Sequence, residues 1–277
     1  MLMRNAPIGV MDSGVGGLTV VGEIWRQLPR EEVLFYGDSL RCPYGDRTVE
    51  EIATYTFQAL DYLVSQGVKM LVIACNTATA ICLEPARKRY TIPVIGVIAP
   101  GSRAAIAATL NHKVGIIGTS ATIRSGSYPK ALHATHRGIE TYSLACPPFV
   151  ELVESGVTEE VALPIVRATL EPIVNTDMDT LILGCTHYPL LSKLIQEVVG
   201  PDVCLINSAE QTARDVSFWL DEQHLTRIDL RDPHHVFLTS GEAHAFAQIG
   251  QNWLGCPLDV RYLDVWHMDN EATRIEM

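Results

Sequence analysis

The chain has 277 residues, 47% of them apolar and 19% charged, which is enough for two domains with sizeable cores. A formal charge of −11 without a dense Lys/Arg block counts against a nucleic-acid surface, and no apolar stretch is long enough for a membrane span. The start lacks a signal-peptide apolar core, and seven scattered cysteines without disulfide-framework spacing predict reduced thiols in the cytoplasm.

Residues 7–11 predict a short apolar strand, followed by the turn Asp12-Ser13-Gly14-Val15-Gly16-Gly17. A helical pattern then runs through Leu18, Val21, Ile24, Trp25 and Leu28 and stops at Pro29. A second strand is expected over 32–36, a loop dense in turn residues over 37–45, and a helix over 48–66 ended by Gly67. The strand 69–74 delivers Cys75, and a helix over 78–89, a strand over 92–97 and a helix over 99–110 come next. Strands alternating with helices predict βαβ units and a parallel sheet.

The opening theme then returns. Val114-Gly115-Ile116-Ile117-Gly118-Thr119-Ser120 echoes Ile8-Gly9-Val10-Met11-Asp12-Ser13-Gly14, with Gly9 and Gly115 106 residues apart. Leu181-Ile182-Leu183-Gly184 delivers Cys185 as the earlier strand delivers Cys75, at a separation of 110 residues. Two independent features thus predict one internal repeat. The expected fold is α/β, with two similar parallel-sheet lobes facing across a central cleft. A strand at 203–207 completes the second lobe, set at 98–209, and a helix over 209–220 follows it. A polar surface connection (221–234), strands at 235–239 and 258–262 and a helix over 242–250 return to the first lobe, set at 1–97 plus 210–277. The segment from Trp266 to Met277 carries no packing argument.

Ligands of an open parallel sheet bind beyond the carboxyl ends of the strands, near helix N-termini that favour negative charge. A thiol there is expected to have a lowered pKa. Free cysteine is usually a small buried hydrophobe, and Cys42, Cys82, Cys146, Cys204 and Cys256, which lack any such context, are read as structural. Cys75 and Cys185 differ because polar residues follow directly, Asn76-Thr77 and Thr186-His187, and two facing thiols suit proton transfer on opposite faces of one substrate. His187 is placed to exchange a proton with Cys185. Asp12 would repel a pyrophosphate, and Gly14-Val15-Gly16-Gly17 departs from the dinucleotide fingerprint. A carboxylate there suits an ammonium group or an acid–base partner. Thr119 and Thr122 cap the helix of the repeat. A solvated helix face explains Glu151 and Glu154 adequately. No C-x-x-C spacing occurs and no metal site is expected.

These motifs together closely resemble the glutamate racemases, cofactor-independent enzymes of bacterial cell-wall synthesis. The resemblance lies in D-S-G-V-G-G-L-T-V at 12–20, G-D-S-L-R-C-P-Y-G at 37–45, I-A-C-N-T-A-T at 73–79, G-T-x-A-T at 118–122, A-C-P-x-F-V-x-L-V-E at 145–154 and L-G-C-T-H-Y-P at 183–189. It covers about 12–210, in family order and spacing. It implies that Cys75 and Cys185 are the acid/base thiols, Cys185 serving the L and Cys75 the D enantiomer. Asp12 and His187 would assist Cys75 and Cys185 respectively, and Glu154 would be a further acidic residue near the site. Ser13, Tyr44, Gly45, Asn76, Thr77, Thr119, Thr122 and Thr186 would contact glutamate, with Asp12 and His187. Glu151 stands where many relatives carry proline, a surface variation. No organic cofactor is expected, since no lysine has a pyridoxal-phosphate context, and a homodimer is expected from the family. The competing readings are a racemase of aspartate or a hydantoin, a thiol redox protein whose cysteines form a disulfide, and a non-catalytic binder of an acidic amino acid.

Overall fold

A computed structural model describes residues 4–266; the rest of the closing segment, 267–277, lies outside the described residues. The first half of the chain alternates strands and helices. It runs β1 (Ile8–Asp12), α1 (Leu18–Gln27), β2 (Val33–Gly37), α2 (Val49–Ser65), β3 (Met70–Ile73), α3 (Asn76–Arg89), β4 (Val94–Gly96) and α4 (Ile98–Ala108). Every residue of β1, β2, β3 and β4 is buried, as expected for strands covered by helices on both faces. The helices start where local chemistry says they should. Thr48 caps α2 in a reciprocal box with Glu51, satisfying two orphan N–H groups.

The second half continues as β5 (Lys113–Gly118), α5 (Ser120–Ser125), α6 (Ser127–Thr135), β6 (Glu140–Ala145), α7 (Pro148–Glu154), α8 (Glu159–Val174), β7 (Thr180–Gly184), α9 (Ser192–Val199) and β8 (Cys204–Ile206). It ends with α10 (Ser208–Glu222), β9 (Val236–Thr239), α11 (Ala243–Leu254) and β10 (Val260–Tyr262). All strands are parallel in two sheets, ordered β10-β9-β2-β1-β3-β4 and β6-β5-β7-β8. The blocks β2-β1-β3-β4 and β6-β5-β7-β8 have the same order, so β5 takes the place of β1 and β7 that of β3. The repeat read from glycine and cysteine spacing is therefore a repeat of topology, and Cys75 and Cys185 follow equivalent strands. Among the described residues no helix is long and apolar enough to cross a membrane.

Three features depart from the expectations. Strand β6 was not anticipated; it is half exposed at the sheet edge, so its residues lack an apolar run. Helix α3 begins at Asn76, two residues early, because Cys75 itself occupies the cap position. The connection 221–234 is not purely superficial. Leu225 and Arg227 are buried, and Lys69, fully buried, pairs with Glu31 at 2.5 Å while donating to the carbonyls of Arg4 and Leu225. Glu31 in turn accepts the Arg227 backbone N–H at 2.8 Å. This charged knot pins the returning chain to the first sheet, and α10 packs against both α1 and α4.

Candidate active site

The carboxyl ends of β1, β3, β5 and β7 converge on one pocket. Ser13, Tyr44, Cys75, Asn76, Thr77, Thr119, Cys185, Thr186 and His187 line it, joined by Cys42, Pro43 and Val150. Of the other expected residues, Asp12, Gly45, Thr122 and Glu154 stand directly behind this lining.

Cys75 is 5% exposed at the N-terminus of α3, and its sulfur accepts the Ala78 N–H at 3.4 Å while its thiol donates to Ser13 Oγ at 3.5 Å. The lowered pKa expected for this thiol is not what the site produces. Burial, reinforced by the Asp12 carboxylate, pushes Cys75 up to about 12, and the two hydrogen bonds only partly offset this. Desolvation of the thiolate outweighs one helix terminus. Cys75 is therefore a neutral thiol in the resting site.

Cys185 has different company. Its sulfur lies 3.7 Å from His187 Nδ1, and His187 Nε2 lies 2.6 Å from Glu154 Oε1. Burial opposes charge on His187, but Cys185 and Glu154 outweigh it and raise the imidazole to about 10. Glu154 lies at the end of α7, with its side chain 34% exposed. It is thus no simple solvated residue: it fixes the ring from behind.

Asp12 is fully buried and joins the two lobes. Its carboxylate accepts the Gly14 N–H at 2.9 Å and the Thr186 hydroxyl at 3.2 Å. Gly16 permits this approach, since a Cβ there would lie 2.4 Å from Thr186 Oγ1 and 2.7 Å from His187 Nδ1. Burial raises Asp12 to about 6, although His187 and the hydrogen bonds pull it down. A carboxyl raised in the fold favours the folded state at pH below its unfolded value near 4, and that advantage is lost as pH rises through 6. At neutral pH the buried charge costs on the order of 3 kcal/mol, at 1.36 kcal/mol per pH unit between 3.8 and about 6. Asp12→Asn is expected to raise Tm at pH 7.5 and leave it nearly unchanged at pH 4, while lowering activity. Calorimetry at both pH values checks this; a variant less stable at both would overturn it.

Thr77, Thr119 and Thr122 form a hydroxyl triangle across the lobes, with oxygen separations of 2.8, 3.1 and 3.0 Å. Gly45 packs on it so closely that a Cβ would lie 2.6 Å from Thr119 Cβ. Gly45→Ala is expected to displace the triangle and lower kcat/KM by about tenfold or more, mostly through KM. Unchanged steady-state kinetics would show that the triangle does not hold substrate. Asn76 is held away from this group, accepting the Tyr128 hydroxyl at 2.7 Å.

Sequence reasoning missed Asp38. It is fully buried and accepts from Tyr44 Oη at 2.5 Å, Arg41 Nε at 2.7 Å and Ser240 Oγ at 2.8 Å, locking the loop that carries Tyr44 and Gly45 onto the end of β9. Its place in the G-D-S motif after β2 was the available signal. Cys42 and Val150 also lay in quoted motifs, but nothing local showed that they face the pocket.

Two equivalent strand ends thus place their thiols on one pocket, with a carboxylate near one and a His–Glu pair near the other, all groups able to take up and release protons. Residues 8–216 match the Asp/Glu/hydantoin racemase family, and the chain belongs to that family. It is 51% identical to a glutamate racemase of Exiguobacterium sibiricum over 94% of this chain and 96% of that one. It is also 51% identical to one of Bacillus cereus over 92% and 95%. Among solved structures, a glutamate racemase isoform of Bacillus anthracis superimposes with a TM-score of 0.91 at 45% identity, covering 94% of this chain and 98% of that one. The Francisella tularensis glutamate racemase, solved in complex with D-glutamate, gives 0.88 at 33% identity, covering 95% and 99%.

Proposed function

We propose that this protein interconverts L- and D-glutamate by exchanging the α-proton between two cysteine sulfurs, without a metal or organic cofactor. The observation that carries this reading is the placement of Cys75 and Cys185 after equivalent strands on one pocket, beside Asp12 and His187. Cys185 takes the α-proton of L-glutamate, with His187 and Glu154 sharing the proton it must release. Cys75, kept neutral by burial, gives its proton to the opposite face. In the reverse direction the roles exchange. The α-carbon acid is weak, so the developing charge on the substrate carboxylate must be met by fixed donors. The hydroxyls of Ser13, Thr77, Thr119 and Thr186 and the backbone N–H groups beyond the strands supply them, with Tyr44, Gly45, Asn76 and Thr122 shaping the pocket. Asp12 orients the Cys75 side and its link to Thr186 holds the lobes together.

The setting that fits this activity is the cytoplasm, with a homodimer supplying D-glutamate for peptidoglycan. The lobe limits 1–97 plus 210–277 and 98–209 are part of the same reading, supported by β9 and β10 joining the sheet of β1. The test is incubation with L-glutamate in D2O, following optical rotation and α-deuterium together. Loss of rotation with deuterium entering the product is expected. No exchange with either glutamate enantiomer would overturn the reading and turn attention to aspartate and hydantoins.

A further inference from the structure

The pocket sets Cys42, which its proton chemistry does not use, against two groups that it does use, Glu154 and His187. Cys42 Sγ, a Glu154 carboxylate oxygen and a His187 ring nitrogen all lie within 4.8 Å of one another. They come from three places: the loop after β2, the end of α7 and the loop after β7. Cys42 and Glu154 also pack closely on Gly14, where a Cβ would sit 3.1 Å from the sulfur and 3.2 Å from Glu154 Oε1. The partly exposed Glu154 opens the cluster to solvent. Among the described residues no Lys or Arg side chain lines the pocket.

We propose that Cys42, Glu154 and His187 form a binding site for a thiophilic divalent cation, zinc above all, that switches the pocket off. One sulfur, one imidazole nitrogen and one carboxylate oxygen make a ligand set suited to zinc and unsuited to magnesium or calcium. Zinc bond lengths of about 2.0–2.3 Å place tetrahedral ligand atoms about 3.3–3.6 Å apart, so the cluster closes on the ion with side-chain shifts of about 1 Å. Water takes the fourth position. On binding, the Cys42 S–H bond and the His187 Nε2–H bond break, both protons pass to solvent, and Zn–S and Zn–N bonds form with no change in oxidation state. The bound ion takes the His187 nitrogen that otherwise faces Glu154, and the proton route from Cys185 is lost. Binding itself does not depend on the racemase reading; the inhibition does.

The experiment uses the full chain, stripped with chelator, carrying Cys75→Ser and Cys185→Ser so that the catalytic thiols cannot hold metal. Titration with cobalt is expected to produce one equivalent of a thiolate-to-cobalt charge-transfer absorption, displaced by one equivalent of zinc. Adding Cys42→Ser should abolish the absorption, and adding Glu154→Gln should weaken zinc binding at least about tenfold. No absorption in the double variant would overturn the proposal, because any metal would then belong to the catalytic thiols. Absorption that survives Cys42→Ser would overturn it too. Should Cys42→Ser fail to fold by circular dichroism, Glu154→Gln, at a helix end, decides: unweakened zinc binding there refutes the site. Failure of racemisation in the unmodified chain would sink the functional reading and leave this spectrum unaffected.

Discussion

Cys75→Ser and Cys185→Ser are each expected to lose glutamate racemisation by about 10³-fold or more, within the range measured for removing a positioned acid or base. A serine oxygen at position 75 can still accept from Ala78 N–H and meet Ser13, so the fold should hold. What disappears is a group acidic enough to trade a proton with carbon. The enantiomers have equal free energy in water, so each variant must lose kcat/KM equally in both directions, whichever thiol is missing. The asymmetry shows only in partial exchange. Cys75→Ser should still wash solvent deuterium slowly into L-glutamate through Cys185, and Cys185→Ser into D-glutamate through Cys75. Optical rotation and mass spectrometry of both enantiomers read this out. Racemisation within tenfold of the unmodified protein in either variant would remove that cysteine from the mechanism.

Lys69→Met is expected to cost about 3–5 kcal/mol of stability, the usual penalty for stranding the other half of a buried ion pair. Lys69 and Glu31 are both fully enclosed, 2.5 Å apart, and Lys69 also serves the Arg4 and Leu225 carbonyls. At roughly 2 °C per kcal/mol for a chain of this size, Tm should fall by about 6–10 °C. Adding Glu31→Gln should restore a large part of the loss, since it removes the stranded charge yet still accepts the Arg227 N–H. Recovery of nothing would mean that the cost lies in the two orphaned carbonyls. Because the pair anchors the chain between α10 and β9, the single variant should also become cleavable by protease within 223–234 before global unfolding.

Much of the candidate site was readable in the amino-acid order because its parts are local. A buried strand that ends in a small polar residue and resumes as a helix places that residue in the crevice wherever it occurs. The same pattern at Cys75 and Cys185 therefore announced two equivalent strand ends, β3 and β7. The glycines at 14, 16 and 17 likewise marked close approaches: Gly16 to Thr186 and His187 of the other lobe, Gly14 to Cys42 and Glu154, and Gly17 to Asp12 and Phe35. Edge strand β6 escaped notice because half-exposed residues carry no apolar signature.

Tertiary structure alone decided what surrounds each thiol. Asp12 meets Thr186 and Glu154 meets His187 only when lobes and helices dock, because these contacts span 174 and 33 residues and no local pattern encodes them. The direction of the Cys75 shift was decided the same way. A helix N-terminus, visible in sequence, favours the thiolate, but the depth of burial and the nearness of a second negative charge depend on everything packed around it. Asp38 is the parallel case. As a loop residue it looked like turn chemistry, and only the arrival of Ser240 from the far end of the chain made it the buried post that holds Tyr44 over the pocket. Local pattern set where the reacting atoms emerge, and long-range packing set their charge and their partners, because desolvation and Coulomb energies are sums over the whole fold.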